Sequence, residues 1–424
     1  MRILFLHNHY QQCGGEDAAF RQEKLILESR GHDVKCLTES NSSISGAATK
    51  ITAGLRAMYS RRSRARVVAE IAACKPDVVH IHNVFPQLSP SVYYACKQFQ
   101  IPVVQTLHNF RFICPNAVLF RRGQPCEQCV GKLLAWPGIA HACYRGSHSG
   151  TAAVAAMLTI HRWLGTWSTQ VDAYIALSEF ARCKFVAGGL PADRLFVKPN
   201  CLTPDPGLRT SSAGFGLYVG RLSVEKGVET LVAGWSQLQH RKLKIIGDGP
   251  LRRTVEAMQA SNIEFLGEKR HGDVLEFIGK AAFLVMPSGC YENFPRVIVE
   301  AFSRGVPLLA TRIGSTQEII RDNCTGVLFR PGDAHELAEK AEWLFSHPRD
   351  VDRMSQAARS EFLEKYTAGR NYERLIEIYA LAAAHARHRY AKSVAVPAPG
   401  SGEKQIPTPQ PQEKAAPLPV DNKQ

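Results

Sequence analysis

The sequence predicts an α/β protein built on two parallel sheets. Three observations lead there. Short apolar runs alternate with helix-periodic stretches along most of the chain, the pattern of parallel strands joined by crossover helices. At 424 residues the chain is long enough for two domains with sizeable cores. A Pro- and Ser-rich change of texture, Lys198 to Gly207 followed by Arg209-Thr-Ser-Ser, splits the alternation into two sets.

Strands of the first set are expected at Arg2–His7, Asp33–Leu37, Asp77–Ile81, Ile101–Leu107, Asp172–Ala176 and Phe196–Val197. Those of the second are expected at Gly216–Val219, Leu243–Ile246, Ile263–Phe265, Phe283–Met286, Pro307–Ala310 and Gly326–Phe329. Residues 1–200 then form a first domain, 201–213 an interdomain hinge and 214–366 a second domain. A helical pattern over Asn371–Ala386 occupies 367–390. Beyond it the composition turns to Pro, Gln, Lys and Glu, too poor in apolar surface to fold, so 391–424 is expected to be a disordered tail. Segment 110–149 interrupts the alternation and reads as an insert.

No apolar run approaches the length needed to span a bilayer. The start, Met-Arg-Ile-Leu-Phe-Leu-His-Asn-His-Tyr, is too soon polar for a signal peptide and reads as a strand. Twelve mostly scattered cysteines without an export signal point to a reducing cytoplasm. A formal charge of +14 calls for an anionic partner. Arg56, Arg61, Arg62, Arg64 and Arg66, with Met58, Val67, Val68 and Ile71 interspersed, fit either a helix resting on an anionic membrane surface or a solvated basic face. The first would place the protein peripherally on the inner face of the membrane. Nucleic acid is not expected, because no binding motif accompanies the charge.

Ligands of parallel sheets gather beyond the carboxyl ends of the strands. After the first strand comes Gly14-Gly15-Glu16-Asp17, where a glycine pair allows a tight turn and close approach to a ligand. His7 and His9, His80 and His82, and His108 end three strands. Residues two apart share a strand face, so a metal cluster is conceivable, but no carboxylate joins the set in sequence. In the insert, Cys114, Cys126, Cys129 and Cys143 combine one Cys-x2-Cys pair with two single cysteines. They could bind a structural zinc; free thiols, redox chemistry and an iron–sulfur cluster are the alternatives. Arg221 and Lys226 follow the first strand of the second set. An Arg fork and a Lys point charge together suit phosphate oxygens.

The most informative stretch runs from Pro287 to Gly305. A buried strand ends, a short loop follows, and Pro295 opens a helix whose apolar face is Val297, Ile298, Ala301 and Phe302. Unpaired N–H groups and the helix dipole favour an anion at such a junction. Glu292 before the helix and Glu300 within it would repel a phosphate, so they suit a neutral ligand rich in hydroxyls, such as a sugar.

Glu292 and Glu300, in the context Pro-Ser…Glu-Asn-Phe-Pro…Glu-Ala…Gly-Val-Pro-Leu-Leu-Ala-Thr, resemble the Glu-x7-Glu signature of the family 4 retaining nucleotide-sugar glycosyltransferases. The resemblance covers about residues 1 to 385 and is most specific from Tyr218 to Gly332. It implies the GT-B architecture: two Rossmann-like domains facing across a cleft, with a C-terminal helix crossing back to the first. It implies transfer of a sugar from a UDP- or GDP-sugar to a glycan or lipid-linked acceptor, by front-side displacement and without a metal for the chemistry. Glu292, Asn293 and Phe294 would meet the donor sugar, Glu300 the ribose, and Arg221 and Lys226 the leaving diphosphate. Gly14 and Gly15 would face the donor phosphates across the cleft, and His108 would donate a hydrogen bond beside the donor sugar. Asn293 and Pro295 stand where the family often has Gly, a departure that bears on how the loop meets the sugar. Sugar phosphorylases and nucleotide-sugar epimerases share the architecture, and a non-catalytic sugar-nucleotide sensor is the third alternative.

Overall fold

The computed structural model describes residues 1–10, 14–41, 56–257 and 260–394. Cys13, and the expected tail from residue 395 onward, lie outside the described residues. Two six-stranded parallel sheets organise the chain. The first contains β1 (Arg2–His9), β2 (Asp33–Ser40), β3 (Val78–Asn83), β4 (Val103–Thr106), β7 (Ala173–Ala176) and β8 (Leu195–Val197). The second contains β9 (Gly216–Val219), β10 (Leu243–Ile246), β11 (Ile263–Gly267), β12 (Phe283–Met286), β13 (Leu308–Thr311) and β14 (Gly326–Phe329). The only additional strands among the described residues are β5 (Phe120–Arg121) and β6 (Gln124–Pro125), a small hairpin in the insert.

Strand order fixes where a ligand can enter. The first sheet runs β2-β1-β3-β4-β7-β8 and the second β11-β10-β9-β12-β13-β14. The winding reverses between β1 and β3, and again between β9 and β12. At such reversals successive connections leave on opposite faces, and a crevice opens beyond the carboxyl ends of the strands. The loops at these two crevices begin at Tyr10, Val84, Gly220 and Pro287, so the motif-bearing loops are those that fall there.

The two-period and near-continuous apolar patterns behave as expected for buried parallel strands. Leu4, Phe5, Leu6, Val79, Ile81, Val103, Val104, Leu217, Ile245, Leu284 and Leu309 are all fully buried. The C-terminal helix Ala368–Val394 returns to the first domain. Ile378, Tyr379 and Ala382 share a core cluster with Ile3, Phe5 and Phe20. Its polar side chains anchor it there: His385 Nδ1 and Arg389 Nη2 meet the buried Asp172 carboxylate at 3.0 and 3.1 Å, and the Tyr379 hydroxyl lies 2.8 Å from His80 Nδ1.

The segment read as a hinge is bolted to the second domain at its C-terminal end. Arg359 makes a bidentate contact with Asp205 at 2.8 and 2.7 Å, while Arg304 donates to the carbonyls of Pro206 and Gly207. The basic stretch also differs from one of its two readings. Val67 and Ile71 of the helix Arg61–Cys74 are buried in the first domain's core, with Met58 and Val68 packed against it. Arg66 pairs with Glu39, and Arg61 and Arg62 are left exposed. This helix spends its apolar face inward and shows solvent a charged one. No helix among the described residues is long and apolar enough to cross a membrane.

Candidate active site at the facing strand ends

Beyond β9, β10 and β12 three loops are locked together. Gly220 and Leu222 donate backbone N–H groups to Ile246 and Asp248 at 3.0 and 2.9 Å, and the Tyr218 hydroxyl donates to the Arg221 carbonyl at 2.8 Å. Gly227 has φ +69°, and a Cβ there would stand 1.9 Å from the Pro287 carbonyl oxygen. Only glycine allows the two loops to approach that closely. Gly289 N–H then donates to Glu225 O at 3.0 Å.

This approach brings Lys226 to Glu292. Lys226 Nζ lies 2.6 Å from Glu292 Oε1, and the Ser288 hydroxyl donates to the same oxygen at 2.7 Å. Ser315 Oγ holds the Glu292 carbonyl at 2.6 Å. Burial opposes charge on Lys226, but the Glu292 carboxylate outweighs it and the ammonium pKa is raised. Arg221, on the same loop, is exposed, and its side chain has no partner among the described residues. The loop therefore presents one cation fixed by a carboxylate and one free to meet a ligand.

Helix Arg296–Ser303 follows, with Pro295 as its N-cap (one position earlier than the first helical turn expected) and no side chain capping its N-terminus. Glu300 is buried one turn in. It meets His271 Nε2 at 3.0 Å and Arg296 Nη2 at 3.6 Å. Across the cleft, Gly15 faces the Arg296 side chain: a Cβ there would lie 3.6 Å from Arg296 Cδ. Neither glycine of the pair needs a positive φ. Gly14 is extended (φ −125°, ψ −174°) and is the N-cap of helix Gly15–Ser29, with no atom of the described residues within 4 Å of a Cβ placed there.

Asn293 joins the domains. Its Nδ2 donates to Leu107 O at 2.5 Å and its carbonyl accepts from Ser178 Oγ at 3.1 Å. Its Oδ1 is buried without a partner. Glu318 adds a second tie, accepting the N–H groups of Glu179 and Phe180 at 2.8 and 2.6 Å. The Phe294 ring is buried in the core against Tyr366, 5.9 Å between centroids.

His108 follows Leu107, next to this junction. Its Nε2 is 3.0 Å from His82 Nδ1, and the rings are stacked; its Nδ1 has no partner among the described residues. Burial, then the neighbouring His7 and the Lys198 ammonium, depress its pKa to about 3. The imidazole is neutral at neutral pH and can act as a hydrogen-bond donor there.

The remaining histidines form a network that the sequence did not reveal, because its carboxylates come from helix Gly15–Ser29. His7 Nε2 and His9 Nδ1 meet Asp17 Oδ1 at 2.9 and 2.6 Å. Glu23 lies within 3.9 Å of His80 and 3.8 Å of His82. Each trio is tight enough for a metal ion, which corrects the objection that no carboxylate joins them. Glu23, however, is also paired with the fully buried Lys198 at 2.6 Å. That fixed positive charge makes the second trio a buried ion pair with neutral imidazoles.

Glu16 was also missed. Asn83 and Asn109 donate to its two carboxylate oxygens at 2.9 and 3.2 Å. Burial, reinforced by Asp17, raises its pKa to about 8. Its position directly after Gly14-Gly15, at a strand end, was the available signal. The four insert cysteines line a cavity of their own.

Comparison with known proteins agrees with this geometry. Residues 26–205 match Glycosyltransferase Family 4, and residues 210–361 match Glycosyl transferases group 1. The chain belongs to the family 4 glycosyltransferases. An uncharacterized glycosyltransferase of Methanocaldococcus jannaschii is 37% identical over 130 residues, covering 30% of this chain and 36% of the relative. A sulfoquinovosyl transferase of Arabidopsis thaliana is 25% identical over 309 residues, covering 71% and 56%. The matches to these two relatives thus span less than two thirds of their lengths. Among solved structures, Anabaena HepE in complex with UDP superposes with a TM-score of 0.62 at 16% identity, covering 90% of this chain and 100% of that one. The glycosyltransferase thus has the GT-B fold, and its two lobes meet at Asn293 and Glu318.

The depressed imidazoles give this glycosyltransferase a pH signature. His7, His80, His82 and His108 all have lowered pKa values, with burial the largest cause. Below the ordinary value of 6.5 the unfolded chain takes up protons that the folded protein refuses. Their contribution is therefore fully present above 6.5 and is lost as pH falls toward the folded values. Glu16 works in the opposite sense between 4.5 and about 8. The difference between wild type and His108→Gln isolates the imidazole: the urea midpoint of wild type should drop more between pH 7.5 and 5 than that of the variant. Parallel curves would show that His108 titrates normally.

Proposed function

We propose that this glycosyltransferase moves a sugar from a UDP- or GDP-sugar to a glycan or lipid-linked acceptor, with retention at the anomeric carbon, in the synthesis of a cell-surface polysaccharide or glycolipid. The observation that carries the proposal is the Lys226–Glu292 pair at the β9/β12 crevice, with Arg221 unpartnered beside it and Glu300 on the helix that follows. UDP in the related Anabaena structure supports a uridine nucleotide.

In this reading the diphosphate lies against Arg221, Lys226 and the uncapped N-terminus of helix Arg296–Ser303. Charge grows on the leaving phosphate oxygen as the glycosidic bond breaks, and fixed cations there stabilise the transition state more than the ground state. No metal is required for that step. Glu300, oriented by His271 and Arg296, accepts hydrogen bonds from the ribose hydroxyls. Glu292 accepts from sugar hydroxyls while Ser288 and Lys226 hold it. His108 faces the sugar from the first domain and donates through Nδ1, its Nε2 being tied to His82. The acceptor oxygen attacks from the face the diphosphate leaves, and its proton passes to the departing phosphate oxygen. The forming and breaking bonds share one face, so configuration is retained and no carboxylate nucleophile is needed.

The acceptor side favours a lipid surface. Leu133, Leu134, Trp136, Ile160, Trp163 and Leu164 are all exposed, Trp163 to 79%. Thr159 Oγ1 donates to Leu133 O at 2.9 Å, so the first three lie beside the end of helix His148–Trp163, whose Ile160, Trp163 and Leu164 share a face. Exposed Trp and Leu among basic residues suit the headgroup layer of an anionic bilayer. The exposed apolar residues support membrane contact through the insert and the end of helix His148–Trp163, with the basic helix Arg61–Cys74 left out of it. Sedimentation with anionic vesicles should fall at least severalfold in Trp136→Ser/Trp163→Ser and persist in Arg61→Gln/Arg62→Gln. No preference of wild type for anionic over neutral vesicles would remove the idea.

Donor binding is tested by thermal shift with UDP-, GDP- and ADP-sugars, since a ligand of the folded state stabilises it by about 2.7 kcal/mol at a hundredfold excess over Kd. One UDP- or GDP-sugar should raise Tm, Glu300→Ala should abolish the shift and Arg221→Ala weaken it. Unchanged shifts in both variants would discard the site. Products formed with and without inorganic phosphate separate transfer from phosphorolysis and epimerisation.

A further inference from the structure

We propose that Cys114, Cys126, Cys129 and Cys143 together bind one zinc ion, which orders the insert between β4 and β7. The four thiols come from separate turns yet line one cavity of about 20 Å³, space for about one small particle. Local backbone bonds set each of three thiols. Cys114 N–H donates to Phe110 O at 2.9 Å, at the end of a single 3-10 turn. Cys126 leaves the β5–β6 hairpin with its N–H on Leu119 O at 2.7 Å, and Cys129 lies in the turn that follows. Cys143 N–H donates to Gly138 O at 3.0 Å, after the short helix Trp136–Ala140. Pro115 and Gly138 close the wall: a Cβ on Gly138 would stand 3.4 Å from Cys129 Sγ.

Three further observations point to an ion. None of the four is in a disulfide, although they surround one space. Arg121 lines the same cavity, and its buried Nε has no partner, as a donor waiting for anionic sulfur would. The segment also has little regular structure to hold it. Of the nine non-glycine residues with positive φ among the described residues, five (Ala117, Leu119, Arg122, Ala142 and Arg145) fall in it, and each such residue costs energy that surrounding structure must offset.

Four thiolates select zinc over harder divalent ions and form a closed structural site. Binding is balanced as Zn²⁺ plus four thiols giving a tetrathiolate with a net charge of about −2 and about four protons released. Arg121 stands where that charge would be compensated. No three of the four sulfurs lie within 4.8 Å of one another, wider than the edge of about 3.8 Å that a Zn–S bond of 2.3 Å implies, so binding would draw the walls together. Of the two tighter trios elsewhere, the one at Glu23 is already paired with the buried Lys198. None of Arg221, Lys226 and Glu300 lines the cavity, so the ion would be structural.

The test is metal analysis of the full-length protein purified without chelator. About one zinc per chain is expected, falling below about a fifth in Cys126→Ser/Cys129→Ser and unchanged in Cys183→Ser, whose thiol is exposed elsewhere. Should the double variant not fold, a mercurial added to wild type should release the zinc as four thiols react, read with a colorimetric zinc indicator. Cobalt exchanged into wild type should show thiolate-to-cobalt charge transfer and the visible bands of a tetrahedral site. Zinc below about a fifth of stoichiometry in wild type, iron with acid-labile sulfide, or zinc retained by the double variant would each overturn the proposal.

Discussion

The close approach of two loops at the β9/β12 reversal is the constraint on which the site depends. Gly227 can approach the Pro287 carbonyl only because it lacks a Cβ, and that approach seats Lys226 Nζ 2.6 Å from Glu292. An ammonium and a carboxylate held in one geometry form a preorganised pair. Neither must reorganise when charge develops beside them, which is the condition for electrostatic stabilisation to favour a transition state. Ser288 and Ser315 complete the support, the first from the loop after β12 and the second from the helix Gly314–Ile319 after β13.

The first domain completes the crevice through few contacts. Asn293 reaches Leu107, Glu318 caps the helix beginning at Glu179, and helix Ala368–Val394 ties the end of the chain to His80 and Asp172. Behind this lies a buried polar network in which Lys198, Glu23 and three imidazoles share one low-dielectric space. Its energetic logic is pairing: Glu23 and Lys198 compensate one another, so the histidines stay neutral. His108 inherits its orientation from that network through His82.

Much of this was legible in the sequence because periodicity and strand-end position are local properties. The twelve strands of the two sheets, the loops carrying Arg221, Lys226 and Glu292, and the helix carrying Glu300 could be placed from apolar runs and turn residues. What escaped depended on packing between distant segments. Asp17 and Glu23 reach the strand-end histidines only because their helix lies against β1 and β3. Phe294 reads as a loop aromatic, but Tyr366, 72 positions later in the chain, gives its ring a buried partner. The arginine-rich stretch fits a membrane-resting helix and a solvated basic face equally in sequence, because the burial of its apolar residues in the core depends on distant segments. The exposed Trp136 carries no periodic signal, because the insert that displays it has little regular structure.

The central claim is that fixed side-chain cations, without a metal, carry the leaving diphosphate. It is tested most directly by the rate of donor cleavage in wild type and Lys226→Met, with and without added Mg²⁺, using the nucleotide sugar that binds. The account predicts no response of wild type to Mg²⁺ and a loss in kcat of about 100- to 1,000-fold in the variant. A wild-type rate that requires Mg²⁺, or a variant that cleaves the donor as fast as wild type, would contradict it.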